Sequence, residues 1–142
     1  MKTVKELLAA KGQTVWGIHP EQTVYEALSL MAEKNIGALP VIEQDCLVGM
    51  FSERDYARSI ILKDRRSKET RVREVMTRRV AVVHPDQTDE ECMALMTEKR
   101  VRHLPVILDH KLIGIISIGD LVKSIISHQN FIIEQLEHYI MG

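Results

Sequence analysis

The chain repeats itself once. Residues 19–61 align with residues 84–126 without a gap, at an offset of 65, and 20 of the 43 aligned positions are identical. The register survives through helix-like and strand-like stretches alike, so the unit that recurs is a whole supersecondary motif; two copies make a pseudo-two-fold pair, not a solenoid. Matched stretches include His19-Pro20 with His84-Pro85, Gln22-Thr23 with Gln87-Thr88, Leu30-Met31 with Leu95-Met96, and Leu39-Pro40-Val41-Ile42 with Leu104-Pro105-Val106-Ile107. Gly49, Ser52 and Asp55 match Gly114, Ser117 and Asp120, and further upstream Val4-Lys5-Glu6-Leu7-Leu8 echoes Val72-Arg73-Glu74-Val75-Met76. A lone unit of about 60 residues buries only about 60% of its unfolded surface, against about 68–70% for a body of this chain's size, which favours a shared core.

Each copy reads strand, helix, strand, strand, helix. Val15 to Ile18 and Val80 to Val83 are short apolar runs ended by His-Pro, and a proline pushes its predecessor out of the helical region, so both are expected as strands. Thr23-Val24-Tyr25-Glu26 and Thr88-Asp89-Glu90-Glu91 fit the capping box, and the helices that follow carry Ala27, Leu28 and Met31, or Cys92, Met93 and Met96, on one face. Leu39–Ile42 with Leu47–Phe51, and Leu104–Leu108 with Leu112–Ile116, read as hairpins, with Cys46 in the first turn. A second helix starts near Ser52 or Ser117. After the second copy, Val122, Ile125, Ile126, Gln129, Ile132, Ile133, Leu136, Tyr139 and Ile140 keep helical spacing, which predicts one long amphipathic helix that folds back on its own body or pairs with a second chain. The expected organisation is residues 3–62 and 72–126 as the two repeat domains, 63–71 as a charged surface linker and 72–126 followed by a helical extension, 127–142.

Composition removes several function classes. With 19 basic and 20 acidic residues among 142, the chain has no global field for a polyanion; the basic residues of the 63–71 linker are the one local argument for nucleic acid or phosphate. No uncharged stretch reaches the roughly 20 residues of a membrane helix, and the charged N-terminus does not read as a secretory signal. Two cysteines are too few for a disulfide framework and fit a reducing cytoplasm. There is no GxSxG, P-loop, GxGxxG or CxxC, and the six histidines lack metal spacing, so neither an enzyme nor a metal site is expected.

What recurs instead is Gly-x-x-Ser-x-x-Asp where a strand enters a helix: Gly49 to Asp55 and Gly114 to Asp120. The aspartate accepts from vicinal hydroxyls as a ribose diol requires, and helix-start amides attract anions. The same spacing is also a capping-box variant, so helix capping alone explains it as well.

The tandem copies, each with His-Pro-x-Gln-Thr, a Leu-Pro-Val-Ile strand and Gly-x-x-Ser-x-x-Asp, resemble a pair of CBS domains, or Bateman module, from Thr3 to about Ile126. The resemblance implies an α/β fold of two pseudo-symmetric β-α-β-β-α repeats packed sheet to sheet, with clefts that take adenosine-containing ligands such as AMP, ADP, ATP, S-adenosylmethionine or NAD. It implies Asp55, Asp120, Ser52 and Ser117 on ribose. Backbone at Ile18-His19 and Val83-His84 would read the adenine edge, and Ile36, Gly37, Ala38, Leu39 and Pro40, with Val101 to Pro105 (Leu104 included), would wall the base pocket. Arg54, Arg102 and His103 differ between the copies and are the candidate phosphate contacts, Arg102 through its planar fork. The resulting expectation is a cytoplasmic, homodimeric regulatory module, without a catalytic cofactor, that senses an adenine nucleotide for a separate protein. The alternatives are a ligand-free interaction dimer, in which the Ser-x-x-Asp pairs only cap helices, and a nucleic-acid binder using the linker.

Overall fold

The computed structural model describes residues 1–12 and 14–141, without the side chains of Ile140 and Met141, so the last position of the expected stripe lies outside the described residues. The elements are α1 (Val4–Lys11), α2 (Val24–Lys34), β1 (Ala38–Glu43), β2 (Cys46–Ser52), α3 (Glu53–Tyr56), α4 (Val72–Val75), α5 (Asp89–Lys99), β3 (His103–Leu108), β4 (Lys111–Ser117) and α6 (Ile118–Met141). A five-residue π-helical turn, Ala57–Ile61, extends α3. Both sheets are two-stranded hairpins, β1 with β2 and β3 with β4. Gln44 and Asp45, and Asp109 and His110, have positive φ, the geometry of tight two-residue turns whose twist suits a hairpin. Cys46 is therefore the first residue of β2, not part of the turn.

The runs at Val15–Ile18 and Val80–Val83 are not strands. Each makes a single parallel bridge, Ile18 with Val41 and Val83 with Val106. Ile18 N–H donates to the Pro40 carbonyl at 3.0 Å and Ile42 N–H to the Ile18 carbonyl at 2.9 Å; the second copy repeats this from Val83 to Pro105 and from Ile107 to Val83, both at 2.9 Å. The next rung in one direction needs an N–H from Pro40 or Pro105, and in the other from Pro20 or Pro85. Proline has none, so the chain's 4 prolines close each ladder on both sides after one bridge.

The buried residues form two clusters rather than one shared core. Ile18, Val24, Ala27, Met31, Leu39, Val41, Phe51, Ile60, Val72 and Val75 make one; Val4, Leu7, Leu8, Val83, Cys92, Met96, Leu104, Val106, Ile116 and Leu121 make the other. The compact units cut across the contiguous segments 3–62 and 72–126: one holds 1–14, 81–108 and 113–142, the other 15–80 and 109–112. So α1 belongs with the second repeat. Its start is tied there by main-chain bonds from Val4 to Gln87 at 2.8 Å and Lys5 to Pro85 at 2.9 Å, and Asp89 N–H returns one to Lys2 at 2.8 Å. In the same way α4, the echo of α1, packs with the first repeat, where Val72 N–H donates to Gln22 at 2.9 Å. The 63–71 segment is mostly exposed but is tied to the first repeat: Val24 N–H reaches the Thr70 carbonyl at 2.8 Å, Tyr25 N–H reaches the Ser67 carbonyl at 3.0 Å, and Thr70 is 5% exposed. It supplies acceptors for the orphan amides that begin α2.

Thr23 and Thr88 cap α2 and α5, accepting from Glu26 and Glu91 amides at 3.2 Å. The reciprocal half of each expected box is missing, because the Glu26 and Glu91 carboxylates take side-chain amides of Gln22 and Gln87 instead. After α6 leaves the body near Ser124, every described side chain from Ile126 to Tyr139 is exposed. The helix does not fold back.

Candidate functional site

The first repeat gathers its predicted residues through a short chain of hydrogen bonds. Asn35 ends α2 in the left-handed conformation (φ 54°), which an asparagine tolerates, and Ile36 N–H closes the turn onto Met31 at 3.0 Å. The Gly37 carbonyl then accepts from Glu53 N–H at 3.1 Å, pinning the 36–37 segment to the start of α3. Ala38 pairs across the hairpin with Ser52, and Pro40 with Met50. The second repeat follows suit: Arg100 is the left-handed cap (φ 55°), Val101 N–H bonds Met96 at 3.1 Å, and Ile118 N–H bonds the Arg102 carbonyl at 2.9 Å. In each copy the predicted pocket segment and the Ser–Asp pair thus share one junction.

Several predicted roles narrow. Leu39 and Leu104 are 0% exposed, and Ile18 and Val83 are 4% and 2% exposed; all four side chains are core and wall no pocket. The Ile18 amide and carbonyl are spent on β1. His19 and His84 close a turn: His19 N–H donates to Gln22 Oε1 at 2.9 Å and its Nδ1 accepts from Glu21 N–H at 3.1 Å, with His84, Gln87 and Asp86 doing the same at 2.8 and 3.1 Å. This accounts for His-Pro-x-Gln recurring, and leaves the His19 and His84 amides unavailable to a base. At the 36–37 segment a cavity of about 260 Å³ is lined by Leu28, Met31, Ala32, Asn35, Ile36, Gly37 and Glu53. That is ring-sized space, under the roughly 300 Å³ at which whole-ligand pockets begin. Arg54 and Arg102 are exposed and His103 is half-buried at the first position of β3.

Both Ser–Asp pairs form caps. Asp55 Oδ2 accepts from the Ser52 amide at 2.9 Å and from its hydroxyl at 3.1 Å, while Asp55 N–H returns a bond to Ser52 Oγ at 3.3 Å. Asp120 Oδ2 accepts from the Ser117 amide at 2.8 Å, and Asp120 N–H donates to Ser117 Oγ at 3.2 Å. The remaining contacts were not legible in the sequence. Thr77, 22 residues away, donates its hydroxyl to Asp55 Oδ1 at 3.0 Å. Lys11, 109 residues away, places Nζ 2.8 Å from Asp120 Oδ2 and 2.8 Å from the Ile115 carbonyl. Burial would raise the Asp120 pKa, but the Lys11 ammonium and the Ser117 amide and hydroxyl outweigh it and hold the carboxyl below its ordinary value. A carboxylate offers about four lone-pair sites. Asp120 Oδ1 accepts none of the bonds described here, whereas Asp55 has a hydroxyl on each oxygen; Asp120 is the readier acceptor for a diol.

With that geometry in place, a CBS-domain family profile matches residues 14–62 and 72–127. The chain belongs to the CBS-domain family. It is 38% identical over 149 residues to the CBS domain-containing protein CBSX3, mitochondrial, of Arabidopsis thaliana, covering 99% of this chain and 72% of that protein. Among solved structures, the CBS domain protein NE2398 is 54% identical with a TM-score of 0.85, covering 88% of this chain and 98% of that one. The domain pair of MJ0100, solved with 5′-methylthioadenosine and S-adenosyl-L-methionine, is 21% identical with a TM-score of 0.76 over 90% of this chain and 98% of that one, a likeness of fold. No helix among the described residues is long and apolar enough to cross a membrane, and no cluster of three metal-ligating side chains occurs among them.

Proposed function

We propose that the chain is a regulatory module that binds an adenine nucleotide of the AMP, ADP, ATP or NAD class and signals its occupancy to a separate protein. The observation that carries the reading is the pair of capped carboxylates. In each repeat an aspartate is fixed by its own serine at the junction that also holds the 36–40 or 101–105 segment, with acceptor capacity left over for ribose hydroxyls. The fold is one that accommodates adenosine derivatives in the MJ0100 pair. Asp55 and Asp120 hold the ribose, Ser52 and Ser117 orient them, Ile36 to Ala38 and Val101 face the base, and Arg54, Arg102 and His103 are the phosphate candidates. Binding shifts a conformational equilibrium only as far as the ligand prefers one state, typically about 1–3 kcal/mol.

The module works as a homodimer in a reducing cytoplasm. Supporting the dimer, Phe131, Ile132, Ile133, Leu136 and Tyr139 on α6 are all 44–86% exposed, an apolar face that a monomer leaves in water. Light scattering on the full chain and on a chain ending at His128 tests this: a dimer that becomes a monomer supports it, and an unchanged mass removes α6 from the interface. For the ligand, thermal unfolding with AMP, ADP, ATP, NAD and S-adenosylmethionine is decisive. At 100 times Kd a ligand adds about 2.7 kcal/mol, or about 5–11 °C at this size. Flat curves with all five favour the ligand-free interaction dimer.

A further inference from the structure

We infer that Lys11 makes the Asp120 position selective for phosphorylated adenosine ligands, with its ammonium as a direct contact to the phosphate. The inference rests on the adenosine reading above and adds to it a residue that no repeat motif contains.

The two repeats solve one local problem with different chemistry. In the first, Thr77 uses two groups: its amide donates to the Met50 carbonyl at 2.8 Å and its hydroxyl to Asp55 at 3.0 Å. In the second, the Lys11 ammonium does both jobs alone, on Ile115, which is the counterpart of Met50, and on Asp120. Gly12 permits this: at φ 94° it ends α1 directly after Lys11 and bonds back to Leu8 at 2.9 Å, so the lysine stands at the helix end. The substitution of function is also a substitution of charge. Thr77 is neutral and brings no cation to Asp55, whereas Lys11 sets an ammonium against Asp120 in a close pair.

The ammonium is not used up. It has three donors, two of which are engaged, and the third has no partner among the described residues. The lysine and aspartate side chains are 38% and 19% exposed, so the pair is open to a ligand. Both fixed contacts sit on Ile115 O and Asp120 Oδ2, which leaves Oδ1 for hydroxyls. A ribose can therefore dock without evicting Lys11 and then lies beside a cation with one donor to spare. The anionic group of such a ligand is its phosphate. A neutral nucleoside offers that donor only uncharged acceptors, which gain less from it than a phosphate does, and a sulfonium cation brings a like charge toward it.

The test uses the full chain in an Asp55→Ala background, so that only the Asp120 position contributes, with adenosine and AMP as probes in calorimetric titration. The ratio of adenosine Kd to AMP Kd is expected to fall about tenfold from Lys11 to Lys11→Thr, the loss of a partly exposed charged contact, and to recover substantially in Lys11→Arg. A ratio unchanged in Lys11→Thr overturns the inference while leaving adenosine binding intact. In the unmutated chain, the lysine Nζ resonance of Lys11 should move with AMP and hold with adenosine; equal movement with both also overturns it. If neither probe binds the unmutated chain, the adenosine reading itself fails and takes the inference with it.

Discussion

Leu8 precedes the first repeat in the sequence, yet it packs in the core of the second, and this can be measured through Gly114. A Cβ built on Gly114 would lie 2.6 Å from Leu8 Cδ2 and 3.0 Å from Cδ1, so Gly114→Ala must push the leucine aside. Overpacking of that kind costs about 1–3 kcal/mol. Leu8 is 3% exposed, and Leu8→Ala alone costs about 2–5 kcal/mol through lost burial and the cavity left behind. Combined, the two changes should compensate, because the new methyl enters the space the leucine vacated. The double variant is expected to be more stable than additivity requires by about 1–3 kcal/mol. Urea unfolding of the four chains at equal protein concentration gives this coupling directly. Additivity within about 0.5 kcal/mol would refute the placement of α1 against β4. The pseudo-equivalent cycle, Met76→Ala with Gly49→Ala, should show weaker coupling: a Gly49 Cβ meets Met76 Sδ at 2.7 Å but also the Thr77 carbonyl at 2.9 Å, a backbone atom that does not move away.

Because Asp120 is held below its ordinary pKa, its contribution to stability is present above the unfolded value near 3.9 and lost as pH falls through the lower folded value. Lys11→Thr should therefore cost at most about 1 kcal/mol at pH 7, given the pair's exposure, and the gap should shrink well below pH 4 in urea titrations; a gap independent of pH contradicts the pairing. Cys92 is buried, and burial together with Glu91 and Asp89 pushes its thiol up to about 11, whereas Cys46 is exposed. A thiol reagent at pH 7.5 should label one cysteine in the native chain and two after denaturation, and rapid labelling of both would place Cys92 elsewhere. Ser117→Ala removes the acceptor for the Asp120 amide and should cost about 1 kcal/mol by thermal unfolding; no cost would mean the cap is idle.

The repeat, the hairpins and the apolar helix faces are readable because they rest on local rules, namely apolar periodicity, capping threonines and turn residues, whereas the shared core expected from chain size is two clusters. His-Pro-x-Gln was legible as a turn but its wiring, Nδ1 to the following amide, needed coordinates. Proline's effect on the preceding residue predicts extended backbone at both first strands, but its missing N–H at both Pro20 and Pro40 denies the ladder a second rung. The family resemblance implies Leu39 and Leu104 in the pocket wall, whereas strand alternation turns them into the cores. The exchange of α1 and α4 between repeats had a trace in the Val4–Leu8 and Val72–Met76 echo, but an echo carries no partner. Lys11 and Thr77 left no trace at all. They reach the aspartates across 109 and 22 residues from positions that do not correspond in the alignment.

The central claim, that two capped aspartates bind an adenosine ligand, meets its most direct test in calorimetric titration of AMP into four chains: unmutated, Asp55→Ala, Asp120→Ala and the double variant, each checked for fold by circular dichroism. Saturable binding in the unmutated chain, weakened well over tenfold by a single change at the occupied position and abolished in the folded double variant, is the predicted result. Equal affinity in the unmutated and double-variant chains would make both carboxylates helix caps and nothing more.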